Sequence, residues 1–377
     1  MKTVLLGDLV KSKEIKILNK LRAPLNSRQR AERQGTYPYY GATGQMDSID
    51  EYKFDGRYVL VAEDGTVYGR NGRSPMIQKV QGKFWVSNHA HVMQGADDTD
   101  TDYLALALEG VDIHTQITGA VQLKLSKDNL LKTKIYFPVK AERKKLLDMI
   151  GPIDEKIELN RQMNVTLEQI GQALFGHYFI NNPESKTWPV GKVSDLGTVI
   201  TGKTPSKKRD DFFEGEILFL KIPDMHDQSM IIKTEDSLTE AGASSQSNKT
   251  LPRHSTCVSC IATVGLVSLT TENAQTNQQI NSIVPTNNYR FYNYFLMLTM
   301  SDNLRAIASG GTATLNLNKG QFENIKVVLP PDDLLEEFDN LVSPIINQLE
   351  NNLIQNEGLV DLRDSLLPRL ISGKIKV

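Results

Sequence analysis

The chain has 377 residues, of which 40% are hydrophobic and 23% charged, and its formal net charge is −2 at pH 7. This length accommodates two or three folded domains, and the hydrophobic and charged fractions are ordinary for a soluble globular protein. No apolar stretch is long enough to span a bilayer, and the first apolar run is too short for a secretory signal. With only two cysteines, we expect a protein of the reducing cytoplasm.

Charge is unevenly distributed along the chain, although the net charge alone gives no indication of a nucleic-acid partner. From Lys2 to Arg33 there are nine Lys or Arg and three Asp or Glu. A second basic cluster consists of Lys203, Lys207, Lys208 and Arg209. Basic clusters near the start of both halves are typical of surfaces that contact phosphates, whereas each taken alone also fits a solvated surface.

Hydrophobic periodicity predicts two β-rich globules, each followed by a long helix. In the first globule, residues 1 to about 139, strands are expected at 57–62, 83–86, 121–125 and 134–137. A helix is expected from about 141 to 179, followed by a linker at residues 181–185. The second globule is expected from about 188 to 330, and the second helix from about 333 to 370.

The second half of the chain repeats the first at an offset of 192 residues, as between Pro152 and Pro344. The register continues from Gly119/Gly311 to Phe175/Leu367. Identical pairs within it are Leu123/Leu315, Lys127/Lys319, Lys134/Lys326, Pro138/Pro330 and Glu158/Glu350. A repeat of this length predicts two similar units with approximate two-fold symmetry.

Both helical stretches carry the apolar seam of a coiled coil. The seam positions are Ile150, Ile153, Ile157, Asn160, Asn164, Leu167, Gly171 and Leu174, and then Val342, Ile345, Leu349, Asn352, Asn356, Leu359, Arg363 and Leu366. Central asparagines cost stability but specify register, because a buried amide requires a polar partner. We predict an antiparallel pair in which Asn160 meets Asn356 and Asn164 meets Asn352. The alternative is a helix that packs only on its own globule.

The length of the predicted rod is informative. The seam from Ile150 to Leu174 would be about 36 Å long, which is close to one turn of B-DNA. Two globules held apart by such a rod could read two half-sites about one turn apart.

One segment matches the phosphate-loop pattern G-x-x-x-x-G-K-[ST], from Gly197 to Thr204. A phosphate loop requires a buried strand before it and a helix beginning at its end. Neither is expected here, because Pro205 follows directly and Thr198 to Thr201 themselves favour a strand. We therefore predict a strand followed by a basic turn.

Two other patterns fall short of a metal site. Cys257 and Cys260 form a C-x-x-C with His254 nearby, but no fourth ligand is evident, so we expect ordinary strand residues. His89 and His91 also lack further ligands, and we expect polar surface contacts. No methyltransferase tetrapeptide, cofactor loop or nuclease cluster is evident, which predicts a reader of nucleic acid without a catalytic site or a metal site.

Several segments together resemble a known family. They are Leu6-Gly7, Leu196-Gly197, Thr201-Gly202-Lys203-Thr204-Pro205, Tyr37 to Gly44, Trp85 to His91, and the ending Leu366 to Ile375. With the globule–helix–globule–helix order, they resemble the specificity subunit of type I restriction–modification enzymes over essentially the whole chain.

The resemblance implies an α+β fold with two globular α/β target recognition domains separated by two long helices in an antiparallel coiled coil. The implied boundaries are 1–139 for the first recognition domain, 140–182 for the central helix, 183–330 for the second recognition domain and 331–377 for the C-terminal helix and tail. Each domain would read half of a bipartite double-stranded DNA site, and the coiled coil would set the spacer.

The resemblance also implies partners. Two modification subunits would carry S-adenosylmethionine and methylate adenine N6, and restriction subunits would add ATP- and Mg-dependent translocation and cleavage. This chain would hold no cofactor. A flipped adenine would lie in the methyltransferase.

Within this interpretation, we predict DNA contacts from polar or aromatic residues in Gly-rich or strand-end loops. In the first domain they are Tyr39, Tyr40, Thr43, Arg70, Arg73, Asn88, His89, His91 and Gln122. In the second they are Lys203, Thr204, Lys207, Lys208, Arg209, Gln278, Gln279, Thr312 and Thr314. Two other functions remain open at this point: a nucleotide-binding enzyme that uses Lys203, and a coiled-coil adaptor without a DNA role.

Overall fold

The structure, a computed structural model, describes residues 3–69, 74–119, 123–286, 289–309 and 315–371. Its contacts divide the chain into two units, Met1–Ile157 with Leu359–Val377, and Glu158–Gly358. The division crosses both long helices, so each unit contains one β-sheet globule and part of the helix pair. The predicted α+β class is confirmed.

The first unit is built on a six-stranded sheet of order β2-β7-β5-β6-β3-β4 and a two-stranded sheet β1-β8. The strands are β1 (Thr3–Leu5), β2 (Ile15–Ile17), β3 (Gln34–Tyr40), β4 (Gln45–Ile49), β5 (Phe54–Ala62), β6 (Ile77–Val86), β7 (Ala90–Gly95) and β8 (Lys134–Tyr136). The helices are α1 (Leu6–Lys11), α2 (Ser27–Glu32), α3 (Asp98–Glu109), α4 (Lys127–Leu131) and α5 (Lys140–Phe175).

Residues 59–62 of strand β5 are covered on both faces, which explains why this part of the strand is continuously apolar. Side chains alternate across a strand, so Val59 and Val61 join the core around α3, while Leu60 joins Phe84 and other residues on the opposite face. Helix α3 begins at an Asp97 cap whose side chain accepts from the Asp100 amide.

The second unit contains a five-stranded sheet of order β10-β17-β14-β15-β12, a three-stranded sheet β13-β11-β16 and a two-stranded sheet β9-β18. Its strands are β9 (Val190–Lys192), β10 (Gly197–Thr201), β11 (Phe213–Leu220), β12 (Met230–Ile231), β13 (Asp236–Leu238), β14 (Thr256–Ser259), β15 (Val267–Thr270), β16 (Ala274–Thr276), β17 (Ile280–Pro285) and β18 (Lys326–Val328). Its helices are α6 (Glu240–Ser244), α7 (Arg290–Thr299), α8 (Ser301–Ala308), α9 (Lys319–Glu323) and α10 (Asp332–Ile371).

The repeat is structural as well as sequential. Helices α4 and α9, strands β8 and β18, and helices α5 and α10 begin at Lys127/Lys319, Lys134/Lys326 and Lys140/Asp332, which keep the sequence offset. The same succession of short helix, edge strand and long helix therefore closes both globules.

The two asparagine pairs that the sequence predicts are present in the structure, and we call them the asparagine layers. Asn160 Nδ2 donates to Asn356 Oδ1 at 2.9 Å, and Asn352 Nδ2 donates to Asn164 Oδ1 at 2.8 Å. Moving four residues forward on α5 thus moves four residues backward on α10, which is an antiparallel register. All four residues belong to the second unit.

Some predicted boundaries differ from the observed ones. Helix α5 stops at Phe175, and the turn Gly176–Ile180 widens to a π-type conformation because its backbone bonds reach one residue further back. The linker is partly ordered as a 3₁₀ turn, Pro183–Thr187. Of the strand expected at 121–125, residues 121–122 lie outside the described residues, and Lys124 makes only isolated bridges.

Among the described residues, no helix is both long enough and apolar enough to cross a membrane.

Replacing one asparagine of a layer should cost more than replacing both. Asn352 is 3% exposed, and Asn164→Leu leaves its side-chain amide nitrogen without an acceptor. This should lower the free energy of unfolding by about 1–3 kcal/mol. Adding Asn352→Leu should recover part of this loss, because leucine also suits a seam position. Urea denaturation measures both variants, with exposed Gln162→Leu as the control. If the double variant loses as much stability as the two single substitutions added together, the asparagines are not paired.

Candidate nucleic-acid interface

In the first unit, two turns meet at one edge of the six-stranded sheet. Strands β3 and β6 run parallel, with Tyr40 opposite Val86, so the turn after each leaves the sheet at the same edge. The Ser87 amide donates to the Tyr40 carbonyl at 2.9 Å, which holds the two turns together. The side chains of Thr43, Asn88 and His89 are exposed there. This is a surface of hydrogen-bonding groups of the kind that reads base edges.

Two side chains not selected from the sequence support these turns from within. Gln78 Nε2 donates to the carbonyls of Gly41 and Ala42 at 3.0 and 3.1 Å. Arg22 Nη1 donates to the carbonyls of Asn88 and Ala90 and pairs with Glu63 at 2.8 Å. The polar position of Gln78 within a strand was the only sequence signal for this role.

The expectation that Tyr39 contacts DNA is corrected by its burial. Tyr39 is 0% exposed and packs with Ile49 and Trp85, and its hydroxyl accepts from the Leu25 amide at 2.9 Å. Tyr40, one residue further, is half-buried with its ring edge-on to Phe84. Alternation along β3 explains why adjacent tyrosines differ: Tyr39 packs with Ile49 and Trp85, and Tyr40 packs against Phe84 on the opposite face.

His91 is also an interior residue, 1% exposed, and not a surface contact. Its Nε2 lies 2.7 Å from the Leu125 carbonyl and must donate, while Nδ1 lies 2.8 Å from Asn19 Nδ2 and must accept. Burial lowers the pKa of His91, and the two bonds select the neutral form with the proton on Nε2. Its role is to connect β7 to neighbouring segments.

In the second unit, Gly202 allows two chain segments to touch. It follows β10, and its amide donates to the Ile280 carbonyl at 3.1 Å, while the Lys203 amide donates to the Thr276 carbonyl at 2.9 Å. A side chain at Gly202 would overlap Thr276 and the Asn277 carbonyl. Glycine is therefore required by close approach, not by an unusual backbone angle.

This approach brings together four of the predicted contact residues. Thr204 Oγ1 donates to Gln278 Oε1 at 2.9 Å. Gln279 Oε1 accepts from Asn277 Nδ2 at 3.0 Å. Lys203 and Gln278 are exposed at this junction, so it combines one cation with two amides.

Beneath the junction, buried glutamines hold the backbone. Gln246 Nε2 donates to the Lys203 carbonyl at 2.6 Å and to Gln275 Oε1 at 2.8 Å. Neither residue was selected from the sequence, because a buried amide cannot be distinguished from an exposed one without the fold.

The basic run from Lys207 to Arg209 is partly neutralised by carboxylates. Arg209 forms a two-bond pair with Asp211 at 2.8 and 2.7 Å, and the guanidinium holds the pKa of Asp211 below its usual range. Lys207 borders an open depression of about 360 Å³ lined also by Glu214, Glu235 and Asp236. Lys207 and Lys208 remain exposed, but acidic neighbours reduce the attraction of this segment for phosphate.

The phosphate-loop match is not a phosphate loop. Gly197–Thr201 forms β10 in the five-stranded sheet, and the next α-helix begins at Glu240. The backbone amides of Gly202 and Lys203 are bonded to carbonyls of the same unit, so they are not turned toward a phosphate. The prediction of a strand followed by a basic turn is confirmed.

Both cysteines are buried, and Cys257 lies on β14 as expected, whereas Cys260 directly follows that strand. Burial raises the pKa of Cys257 to about 12 and that of Cys260 to about 11, so both thiols stay protonated. His254 is buried beside Phe291, at a ring-centre distance of 5.2 Å. Across the described ranges, no group of three or more His, Cys, Asp or Glu could hold a metal.

Five predicted contacts lie outside the described residues: Arg70, Arg73, Gln122, Thr312 and Thr314.

Two β-sheet units, each with exposed polar turns and with part of both long helices, define a binding protein of modular build. Residues 1–169 and 185–357 match the family model "Type I restriction modification DNA specificity domain", and the chain belongs to this family. It is a DNA specificity subunit, the non-catalytic component of a type I restriction–modification enzyme, whose cofactors belong to the modification and restriction subunits.

Individual relatives agree. The chain is 36% identical over 322 residues to the type I restriction enzyme HindI specificity subunit of Haemophilus influenzae, covering 66% of this chain and 70% of the relative. It is 23% identical to the MjaIX specificity subunit of Methanocaldococcus jannaschii, covering 69% and 64%. The fold resembles the S subunit from M. genitalium, with a TM-score of 0.61 and 12% identity over 98% and 96% of the two chains.

Gly202→Ala should disrupt the junction in the second unit. The added methyl group must displace Thr276 or the Asn277 carbonyl, and overpacking of this kind costs about 1–3 kcal/mol. We expect a lower melting temperature and weaker DNA binding. Gly320→Ala is the control, because its methyl group would meet its nearest atom at an ordinary 3.5 Å. Unchanged DNA affinity in Gly202→Ala would refute a role for the junction in binding.

Proposed function

We propose that each unit reads one half of a two-part DNA site and that the paired helices set the length of the spacer between the halves. The structural repeat supports this, because both globules end in the same succession of elements. The exposed groups differ, with Thr43, Asn88 and His89 in one unit and Lys203 and Gln278 in the other. The two half-sites should therefore differ in sequence.

The functional group of each side chain indicates which part of the DNA it would contact. The amides of Asn88, Gln278 and Gln279 suit adenine edges, which offer one donor and one acceptor. Lys203 suits a phosphate and should contribute affinity without sequence preference. The proposed contacts also include the half-buried Tyr40, the flanking Lys207, Lys208 and Arg209, and the five residues outside the described ranges.

The helices suit a spacer role because their register is fixed. An antiparallel pair with two amide layers resists sliding, since a shifted register would leave buried amides unpaired. Helices α5 and α10 each continue from one compact unit into the other. We propose the boundaries 1–139, 140–182, 183–330 and 331–377 for the two recognition domains and the helices that follow them.

The repeat also supports two modification subunits per chain, because two similar surfaces can bind two copies of one partner. In this proposal these subunits methylate adenine N6 with S-adenosylmethionine, and restriction subunits supply ATP-driven cleavage.

Substitutions at the second-unit junction test the proposal. In the complex with modification subunits, Lys203→Ala should weaken binding to all sequences and reduce the salt slope of affinity by about 1, because one phosphate contact is lost. Gln278→Ala should cost about 1–3 kcal/mol at one base position of one half-site. Mobility shifts on systematically mutated duplexes measure both, with Lys326→Ala on β18 as the control. An effect of Gln278→Ala on both half-sites would contradict separate reading.

Lengthening the helices tests the spacer role. One heptad inserted after Gln162 and one after Leu353 should add about 10 Å to both helices while keeping each asparagine layer paired. We expect methylation mapping to show a different preferred spacer and unchanged half-sites. Insertion into α5 alone is the control, because it shifts the register and should abolish specific binding. If the preferred spacer is unchanged after the paired insertion, the helices do not set its length.

A further inference from the structure

The two units differ in chemistry at particular corresponding positions of the long helices. On α5, Arg143 and Asp154 lie three turns apart and on one face of the helix. The positions 192 residues later on α10 are Leu335 and Ile346, which are 0% and 1% exposed. Charged groups in the first unit are thus replaced by buried apolar groups in the second.

Asp154 connects three elements of the first unit. Its Oδ2 lies 3.0 Å from Lys79 Nζ on β6, and its Oδ1 lies 3.1 Å from Arg363 Nη1 on α10. One carboxylate therefore joins the recognition sheet to both long helices. The side chains of Asp154, Lys79 and Arg363 are 21%, 39% and 12% exposed, so the cluster is partly open to solvent.

The surrounding charges favour this arrangement. Desolvation opposes the charge on Lys79, but the carboxylates of Asp154 and Glu109 outweigh it and raise its pKa. Arg363 is similarly desolvated, and its bonds to Asp364 and attraction to Glu109 and Asp154 raise its pKa. Both cations stay charged at neutral pH, and because the cluster is partly exposed, salt concentration affects the strength of the link.

The place in the second unit that corresponds to this charged cluster is apolar. Position 171, which corresponds to Arg363, is a glycine, and a Cβ there would come within 2.5 Å of the Phe295 ring on α7. Phe295 packs with Phe175 and Phe338 at ring-centre distances of 6.0 and 5.9 Å. Apolar packing of this kind is not screened by salt, whereas a partly exposed ion pair is.

We propose that Asp154, held between Lys79 and Arg363, is a positioning residue that sets the orientation of the first recognition sheet on the helices through a salt-sensitive link. This inference rests on the proposed reading of a two-part site. Its consequence is that spacer selectivity weakens as salt rises, and that removing this link makes the fall smaller.

The experiment measures DNA affinity for two duplexes, one with the preferred spacer and one with a spacer that is a base pair longer. The measured quantity is the first affinity divided by the second. Counterion release is the same for both duplexes and cancels in the ratio. The full chain is assayed with its modification subunits at about 50 mM and about 300 mM salt, between which screening changes strongly. For the unmodified chain, we expect the ratio to fall as salt rises.

Asp154→Asn should lower the ratio about threefold to tenfold at low salt and make its fall with salt smaller. Part of the salt response should remain, because the second unit has its own ion pairs to α10, Arg253–Glu350 and Arg290–Asp339. Asp154→Glu should retain part of the wild-type response. Asp8→Asn, which removes a carboxylate from an exposed pair with Lys11, and Ile346→Val, at the corresponding position of the second unit, are controls that should keep the salt response.

Lys79→Met removes only the sheet side of the link and decides the question if Asp154→Asn unfolds. A wild-type salt response in Lys79→Met or in folded Asp154→Asn overturns the proposal. If the unmodified complex binds well but prefers no spacer, the proposed bipartite reading fails and this inference fails with it. If it prefers a spacer equally at both salt concentrations, only this inference fails.

Discussion

The pairing of buried amides between α5 and α10 is the constraint on which the rest of this molecule depends. A seam of apolar residues alone would allow the helices to slide by a turn or to reverse direction at modest cost. Two asparagine layers penalise both errors, since each would bury an amide without a partner. The four asparagines lie in the second unit, so this register fixes the helix surface that packs in the core of that unit.

Within each unit, the exposed polar groups depend on less conspicuous packing beneath them. Gln78 and Arg22 hold the turns of the first unit, and Gln246 holds the Lys203 backbone of the second. These groups fix the backbone at Asn88 and Lys203, two residues that we propose contact DNA. Reading a base edge requires that the donor and acceptor already be in place, since ordering a loop upon binding reduces affinity.

Sequence patterns predicted the features that are periodic or local. The offset repeat gave the order of elements, the seam gave the register of the amide layers, and Pro205 with its β-branched neighbours excluded a phosphate loop. Burial within a short strand was not predictable, so Tyr39 and His91 were mistaken for surface groups although each is almost fully enclosed. Most ion-pair partners were also not predictable from the sequence. Asp211 and Arg209 are close along the chain, but Lys79, Asp154 and Arg363 come together only in the fold.

The two cysteines add a property of practical use. Both lie in the second unit, Cys257 on the central strand β14 and Cys260 just after it, and both thiols are buried and protonated. Thiolate is the form that reacts with alkylating reagents, so modification in the native state must await opening of that sheet. With cysteine absent from the first unit, the rate of alkylation reports opening of the second unit alone. The chain thus has a built-in kinetic probe that distinguishes its two halves without any introduced label.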